Sequence, residues 1–310
     1  MRFSTAALLA FLFSACSVMP FPSEPAPPDR APAPPVFDLQ GHRGARGARP
    51  ENTRPAFRHA LRAGAVTLEM DAAVTADSQI VLSHEPWMRP ALCRQPGGPV
   101  IPEGEGKKHA LFEMTYDEIA RYNCGSRCAP GFPEQQPVAA PKPRLADVLR
   151  EAEALAAARG RPRPFYNIET KTRPVWDGRF HPAPETFTRL LIETIAEAGL
   201  TRRAMIQSFD ARTLRAARRM GFGGRLALLV GREREGALPA HVEALGFAPD
   251  VYSPDHRLVD EAMIQQATER GLPVVPWTVN DPARMRELKA LGASGLITDY
   301  PARGRFLVEE

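Results

Sequence analysis

From residue 36 onward the chain alternates short apolar, β-rich runs with helical patterns, and few folds accommodate that rhythm over such a length. The β-like runs fall at 36–40, 66–74, 79–83, 165–169, 204–208, 225–230, 250–253, 273–278 and 295–298. Helical patterns fall at 56–63, 145–158, 184–198, 211–220, 260–270 and 282–291. Several end on a glycine at the expected stop, at Gly64, Gly199, Gly221, Gly271 and Gly292. About eight β/α units in roughly 270 residues predict an α/β fold of the (β/α)8 TIM-barrel type. A doubly wound open sheet is the competing architecture, but no G-x-G-x-x-G follows a strand and opens a helix. Residues 86–143 break the rhythm. They are rich in Pro and Gly, hold three cysteines, and are expected to form a small insertion over one barrel mouth after the second strand region. Within them a short helix is expected near 114–122.

The N-terminus reads as an address rather than as part of the fold. Arg2 precedes the apolar run 6–13, too short to span a bilayer, and Ser14-Ala15-Cys16 follows. Residues 1–15 are therefore expected to be a signal peptide, with Cys16 the lipidated first residue of an exported lipoprotein, periplasmic or anchored in the outer membrane. The competing reading is an ordinary export signal cleaved near Ala15. Residues 16–35 are Pro-rich and form a tether to a catalytic domain at 36–310. The expected membrane contact is through that anchor only. The net charge of +4 is spread along the chain without a Lys/Arg block, which argues against nucleic-acid binding. Four cysteines are too few for a disulfide scaffold.

Barrel enzymes carry their chemistry at the C-terminal ends of the strands, and here those ends are loaded with polar residues. Glu69 and Asp71 are two apart on a strand and share a face. Glu169, near the end of the next β/α strand, adds a third carboxylate. Three carboxylates suit one hard cation, Ca2+ or Mg2+, better than Zn2+. Taken singly they would read as solvated surface acids. His42 and His84 both follow strands and suit an acid/base pair. Arg43 and Lys171 bring positive charge to the same ends, where a phosphate would be gripped. The set describes metal-assisted cleavage of an anionic ester, most plainly a phosphodiester. No G-x-S-x-G element is present.

These residues sit in motifs that resemble the glycerophosphodiester phosphodiesterase family of the bacterial exported type. They are Gly41-His42-Arg43-Gly44 with Pro50-Glu51-Asn52-Thr53, then Leu68-Glu69-Met70-Asp71, Ser83-His84-Glu85, Asn167-Ile168-Glu169-Thr170-Lys171, Gln207-Ser208-Phe209, Trp277-Thr278-Val279-Asn280 and Thr298-Asp299-Tyr300-Pro301. The resemblance runs in order from about Leu39 to Pro301. It implies a TIM barrel that hydrolyses a small glycerophosphodiester to glycerol 3-phosphate and an alcohol. It implies metal ligands at Glu69, Asp71 and Glu169, and His42 and His84 as acid and base. Arg43 and Lys171 would hold the phosphate, Trp277 would wall the glycerol or leaving group, and Glu51 and Asn52 would support the first loop. The family often has Asp after the second His, where this chain has Glu85. Inserts of this family carry Cys at comparable places, which implies a Cys93–Cys124 disulfide, with Cys124–Cys128 the alternative. Two further readings stay open: a lysophospholipase D or phospholipase C-like enzyme acting on lipid, and a surface lipoprotein that only binds.

Overall fold

The computed structural model describes residues 31–34 and 37–309. The expected signal peptide, Cys16 and most of the Pro-rich tether lie outside the described residues. Eight strands are assigned: β1 (Asp38–Gly41), β2 (Thr67–Val74), β3 (Ile80–Leu82), β4 (Phe165–Thr170), β5 (Ala204–Ser208), β6 (Arg225–Val230), β7 (Val251–Pro254) and β8 (Gly295–Thr298). The helices are α1 (Arg54–Arg62), α2 (Tyr116–Ile119), α3 (Leu145–Ala158), α4 (Pro184–Glu197), α5 (Ala211–Arg219), α6 (Leu238–Leu245), α7 (Glu261–Thr268), α8 (Pro282–Leu291) and α9 (Phe306–Glu309).

The sheet runs β7-β6-β5-β4-β2-β1-β8, and every neighbour in that path is parallel. Residues 273–279 close it. Val275 N–H donates to Tyr252 O and Trp277 N–H to Pro254 O on one side; Ile297 N–H donates to Pro276 O and Val279 N–H to Ile297 O on the other. This stave is not a regular strand because Pro273 and Pro276 supply no backbone N–H. With it the molecule is an eight-staved TIM barrel. α6 and α9 escape the sequence pattern; α6 is short and carries Pro239 in its first turn.

β3 is not a stave. β2 is long enough to overshoot the rim, and β3 returns antiparallel to it, with Val74 opposite Ile80 and Ala72 opposite Leu82. Ser83 N–H then donates to Asp71 O at 2.9 Å. That return brings the residue after Ser83 down to the level of Asp71.

Alternation along the staves sorts the side chains. Leu68, Met70, Tyr166, Ile168 and Ile206 point outward into the large core beneath the helices. Met205, Ala227, Val251, Val275 and Ile297 make a small apolar cluster of their own. On β1, β2, β4 and β5 the alternate residues Asp38, Gln40, Glu69, Asp71, Asn167, Glu169 and Gln207 are polar and hydrogen-bonded. Gln40 donates to Asp38, Asn167 donates to both Gln40 and Gln207, and Gln207 donates to Glu69. Residues 86–143 hold no stave. They pack Met88, Leu92, Ile101, Leu111 and Ile119 into a separate cluster against Ala73 and Val81, with Cys93 and Cys124 joined in a disulfide. Cys128 is free and exposed. Of the expected short helix only α2 forms, closed by a Thr115/Glu118 capping box. No helix among the described residues is long and apolar enough to cross a membrane.

Candidate active site

At the C-terminal mouth, β2 and β4 pair so that Asp71 lies opposite Glu169 and Glu69 opposite Asn167. Glu69, Asp71 and Glu169 therefore share the inner face, and one oxygen from each lies within 4.8 Å of the others. All three are buried. Each is held by its neighbours. Glu69 accepts from Arg43 N–H at 2.7 Å and from Gln207 Nε2 at 2.8 Å. Asp71 Oδ2 accepts from Asn52 Nδ2 at 2.7 Å, and Asp71 N–H returns a bond to Asn52 Oδ1 at 3.1 Å. Glu169 accepts from Lys171 Nζ at 2.6 Å, and the same ammonium stands 3.7 Å from Asp71 Oδ1.

The cluster fits a divalent cation on the structure's own terms. Asp71 Oδ1 is buried without a hydrogen-bond partner, the Lys171 ammonium standing 3.7 Å away, which leaves that oxygen open to ligate a metal ion. Burial and the neighbouring Asp71 charge push Glu69 well above the usual carboxylate range, and burial also raises Glu169. Burial acts on Asp71 in the same sense, but the charges of Arg43 and Lys171 outweigh it and hold that carboxyl ionised far below the usual range. Oxygen donors of this kind suit a hard metal ion.

The loop after β1 is folded hard against the start of α1. A Cβ on Gly41 would sit 2.3 Å from Gly44 O, and Gly44 itself has φ +82° with Ala56 beneath it. This turn points Arg43 inward. Its guanidinium is buried, donates to Glu51 at 3.1 Å and lies 3.2 Å from Asp71 Oδ2. Glu51 is shared with Arg46 at 2.6 Å. Glu51 and Asn52 thus clamp the loop to the acids on β2.

The two histidines are each gripped at Nδ1 by a carboxylate. His42 Nδ1 is 2.6 Å from Asp299 Oδ1, and His84 Nδ1 is 3.0 Å from Glu85 Oε1. Asp299 is itself fixed: Asn280 Nδ2 donates to its second oxygen at 2.7 Å, and Asp299 N–H donates to Asn280 Oδ1. Burial lowers both histidines from their ordinary value. Asp299 pulls His42 back up; for His84, Lys171 adds to the lowering and Asp71 opposes it. Burial would raise Asp299 too, but the charge and hydrogen bond of His42 bring it to about 2. Glu85 reaches about 2 through its bond to His84.

His42, Arg43, Glu69, His84, Glu169, Lys171 and Trp277 all line one cavity of about 480 Å3. Arg173, Trp176, Phe209 and Glu233 complete its outer part. Trp277 is anchored by Nε1–H donating to Ser253 O at 2.8 Å and meets Phe209 edge-on at 5.4 Å. The cavity brings together Glu69 and Glu169, both histidines, both cations and the tryptophan named from the sequence; Asp71 adjoins the two glutamates without itself lining the cavity. Asp299, Asn280 and Gln207 stood in the quoted motifs but received no role. Their position at or just past a strand end was the available signal; their partners lie 257, 19 and 138 residues away in the chain. His256 lies off this site.

Known proteins resemble this chain in sequence and in fold. The model of the glycerophosphoryl diester phosphodiesterase family matches residues 42–303. A glycerophosphodiester phosphodiesterase of Caldanaerobacter subterraneus is 26% identical over 262 residues, covering 84% of this chain and 93% of its own length. A crystal structure from Silicibacter pomeroyi, assigned as a glycerophosphoryl diester phosphodiesterase, is similar at a TM-score of 0.77 and 29% identity, covering 89% of this chain and 94% of that one. A phosphodiesterase of Oleispira antarctica, solved with the product sn-glycerol-3-phosphate, shares the fold at a TM-score of 0.68 and 17% identity, covering 89% and 98%. The family match starts at His42, just past β1, and ends beyond the last stave, so it takes in the barrel from the first loop of the mouth onward: the chain belongs to the glycerophosphoryl diester phosphodiesterase family.

Proposed function

We propose that the chain hydrolyses small glycerophosphodiesters to glycerol 3-phosphate and an alcohol, with a divalent cation held by Glu69, Asp71 and Glu169. The observation that carries the reading is that both histidines, each with Nδ1 engaged by a carboxylate, line the same cavity as Glu69 and Glu169 of the acid cluster. Engagement at Nδ1 leaves Nε2 of each ring to exchange protons with substrate. One ring accepts the proton of the attacking group, either water or a glycerol hydroxyl whose cyclic product water then opens, and the other delivers a proton to the departing alcohol oxygen. Asp299 and Glu85 favour the protonated ring that each transfer requires. Arg43 and Lys171 hold the phosphoryl oxygens and stabilise the charge that grows on them. Trp277 and Phe209 wall the side where an alcohol would leave. A bound Ca2+ or Mg2+ supplies Lewis-acid stabilisation of the phosphoryl group.

The test is hydrolysis of glycerophosphocholine with Ca2+, with Mg2+ and with EDTA, glycerol 3-phosphate being detected. Expected is metal-dependent product, reduced by about 100-fold or more in His42→Ala and His84→Ala. Product that persists in EDTA, or in both histidine variants, would overturn the reading. Exposed apolar side chains, Phe209 in the cavity lining and Val175 next in the chain to the lining residue Trp176, favour a lipid substrate as the second reading; lysophosphatidylcholine tests it. Export and lipidation at Cys16 rest on the sequence pattern of residues 1–16, and residues 86–143 are read as an insertion of the catalytic domain. Cys16→Ala should release the protein from the membrane fraction.

A further inference from the structure

One buried cation near the mouth has no part in the chemistry above. Lys142 lies at the end of the 86–143 segment, where the chain rejoins the barrel and Leu82 N–H donates to Pro143 O at 2.9 Å. Its side chain runs inward and is 8% exposed. Its ammonium donates to Ser83 Oγ at 2.6 Å, and Ser83 Oγ donates in turn to the backbone oxygen of Glu85 at 2.5 Å. Those two bonds span the residue between them, His84. The charged groups that face Lys142 are Glu85, Glu51, Asp71 and Arg89, so the ammonium stands behind both the His84–Glu85 pair and the clamp on the first loop.

Stability does not account for this lysine. A buried ammonium bonded to one neutral hydroxyl is expensive, and an apolar side chain of the same length would pack without that cost. A hydrogen-bonded relay across a catalytic turn does account for it. His84 lies in the turn that follows a short return strand rather than at the end of a barrel stave, and its ring is roughly one-third exposed. The Ser83 N–H bond to Asp71 O sets the height of the turn, and the tie through Ser83 Oγ is left to set its direction.

We propose that Lys142 is a positioning residue for His84: acting through Ser83, it fixes the 83–85 turn and so the ring at the edge of the cavity. The proposal rests on the phosphodiesterase reading for its kinetic test but not for its spectroscopic one. Lys142→Met should lower kcat about 10- to 100-fold while KM changes little, the size expected when a group behind a reacting residue is removed. Lys142→Arg should recover most of the loss. In a His84→Ala background, Lys142→Met should cost nothing more, because its only route to the reaction is gone. The melting temperature of Lys142→Met should be unchanged or higher.

Independently of activity, the Cε1–H resonance of His84, identified by its absence in His84→Ala, should move in Lys142→Met and in Ser83→Ala and hold its place in Lys142→Arg. Additive losses in the His84→Ala background, or an unmoved resonance, would overturn the proposal. A wild-type protein inactive on every glycerophosphodiester would overturn the functional reading alone, and the resonance would still decide this one. Ser83→Ala serves both measurements if Lys142→Met does not fold.

Discussion

Replacing Asp299 by asparagine tests the proton-transfer reasoning at its most exposed point. Asp299 Oδ1 receives His42 Nδ1–H at 2.6 Å, while its other oxygen receives Asn280 Nδ2–H at 2.7 Å. Both oxygens are therefore acceptors with a committed donor. An amide in that place must present N–H2 to one of them. Facing Asn280, it sets donor against donor. Facing His42, it forces the tautomer protonated on Nε2, which cannot accept a proton from substrate. The lost bond is charge-assisted and worth about 1.5–3 kcal/mol, or about 10- to 150-fold in rate.

The pH dependence has a fixed sign. Asp299 favours the protonated ring and so raises the His42 pKa against the lowering by burial. Removing its charge moves the pKa further down, and the limb of the kcat/KM profile that belongs to His42 moves to lower pH. If His42 acts as base the acidic limb moves; if it acts as acid the alkaline limb moves. The assay is glycerol 3-phosphate release from glycerophosphocholine across pH 5–10, with metal saturating. A plateau within about threefold of wild type, or a limb moving to higher pH, would refute the role assigned to Asp299.

Asn52→Gly keeps the positive φ that Asn52 adopts, +55°, and removes both hydrogen bonds to Asp71; calorimetry should show Ca2+ or Mg2+ affinity reduced about 10- to 100-fold. The Cys93–Cys124 bond closes a separation of 31 residues, so Cys93→Ser with Cys124→Ser should cost about 3–4 kcal/mol where that segment unfolds. Limited proteolysis should then cut within 86–143 and leave the barrel intact; cutting spread evenly over the chain would contradict a separately cored segment. Tyr166→Phe removes the hydroxyl that donates to Glu153 at 2.7 Å at the far end of the barrel from the cavity, where Arg203 also binds Glu153. Chemical denaturation should show a loss of about 1 kcal/mol, with kcat and KM unmoved.

The architecture was legible because period-2 and period-3.6 patterns are local. Each β-run lies between helices whose apolar faces repeat within a few residues, and counting them leads to a barrel. The limits of that reading are equally local. β3 looked like one more strand in the series, and only its pairing with Val74 and Ala72 shows it to be a return hairpin. Residues 273–279 act as a stave although two prolines remove the donors that would make them a regular strand. α6 is too short to impose a period.

The carboxylates, histidines and cations were legible for a different reason. A strand end in a barrel points its last inward side chains at one mouth, so a residue's position after a β-run already places it. Glu69, Asp71 and Glu169 follow from that rule and from the two-residue alternation. Which side chain would hold which could not follow. His42 could have met any acid at the mouth, and it meets Asp299, brought beside it because β1 pairs with β8 as the barrel closes. Glu69 takes Gln207, and His84 rests on a relay to Lys142. Sequence alone therefore determined which residues arrive at the mouth, since that depends on short-range periodicity. Only the tertiary structure decided their partners, since those contacts depend on closure and register between staves far apart in the chain, and the partners set each group's charge and proton.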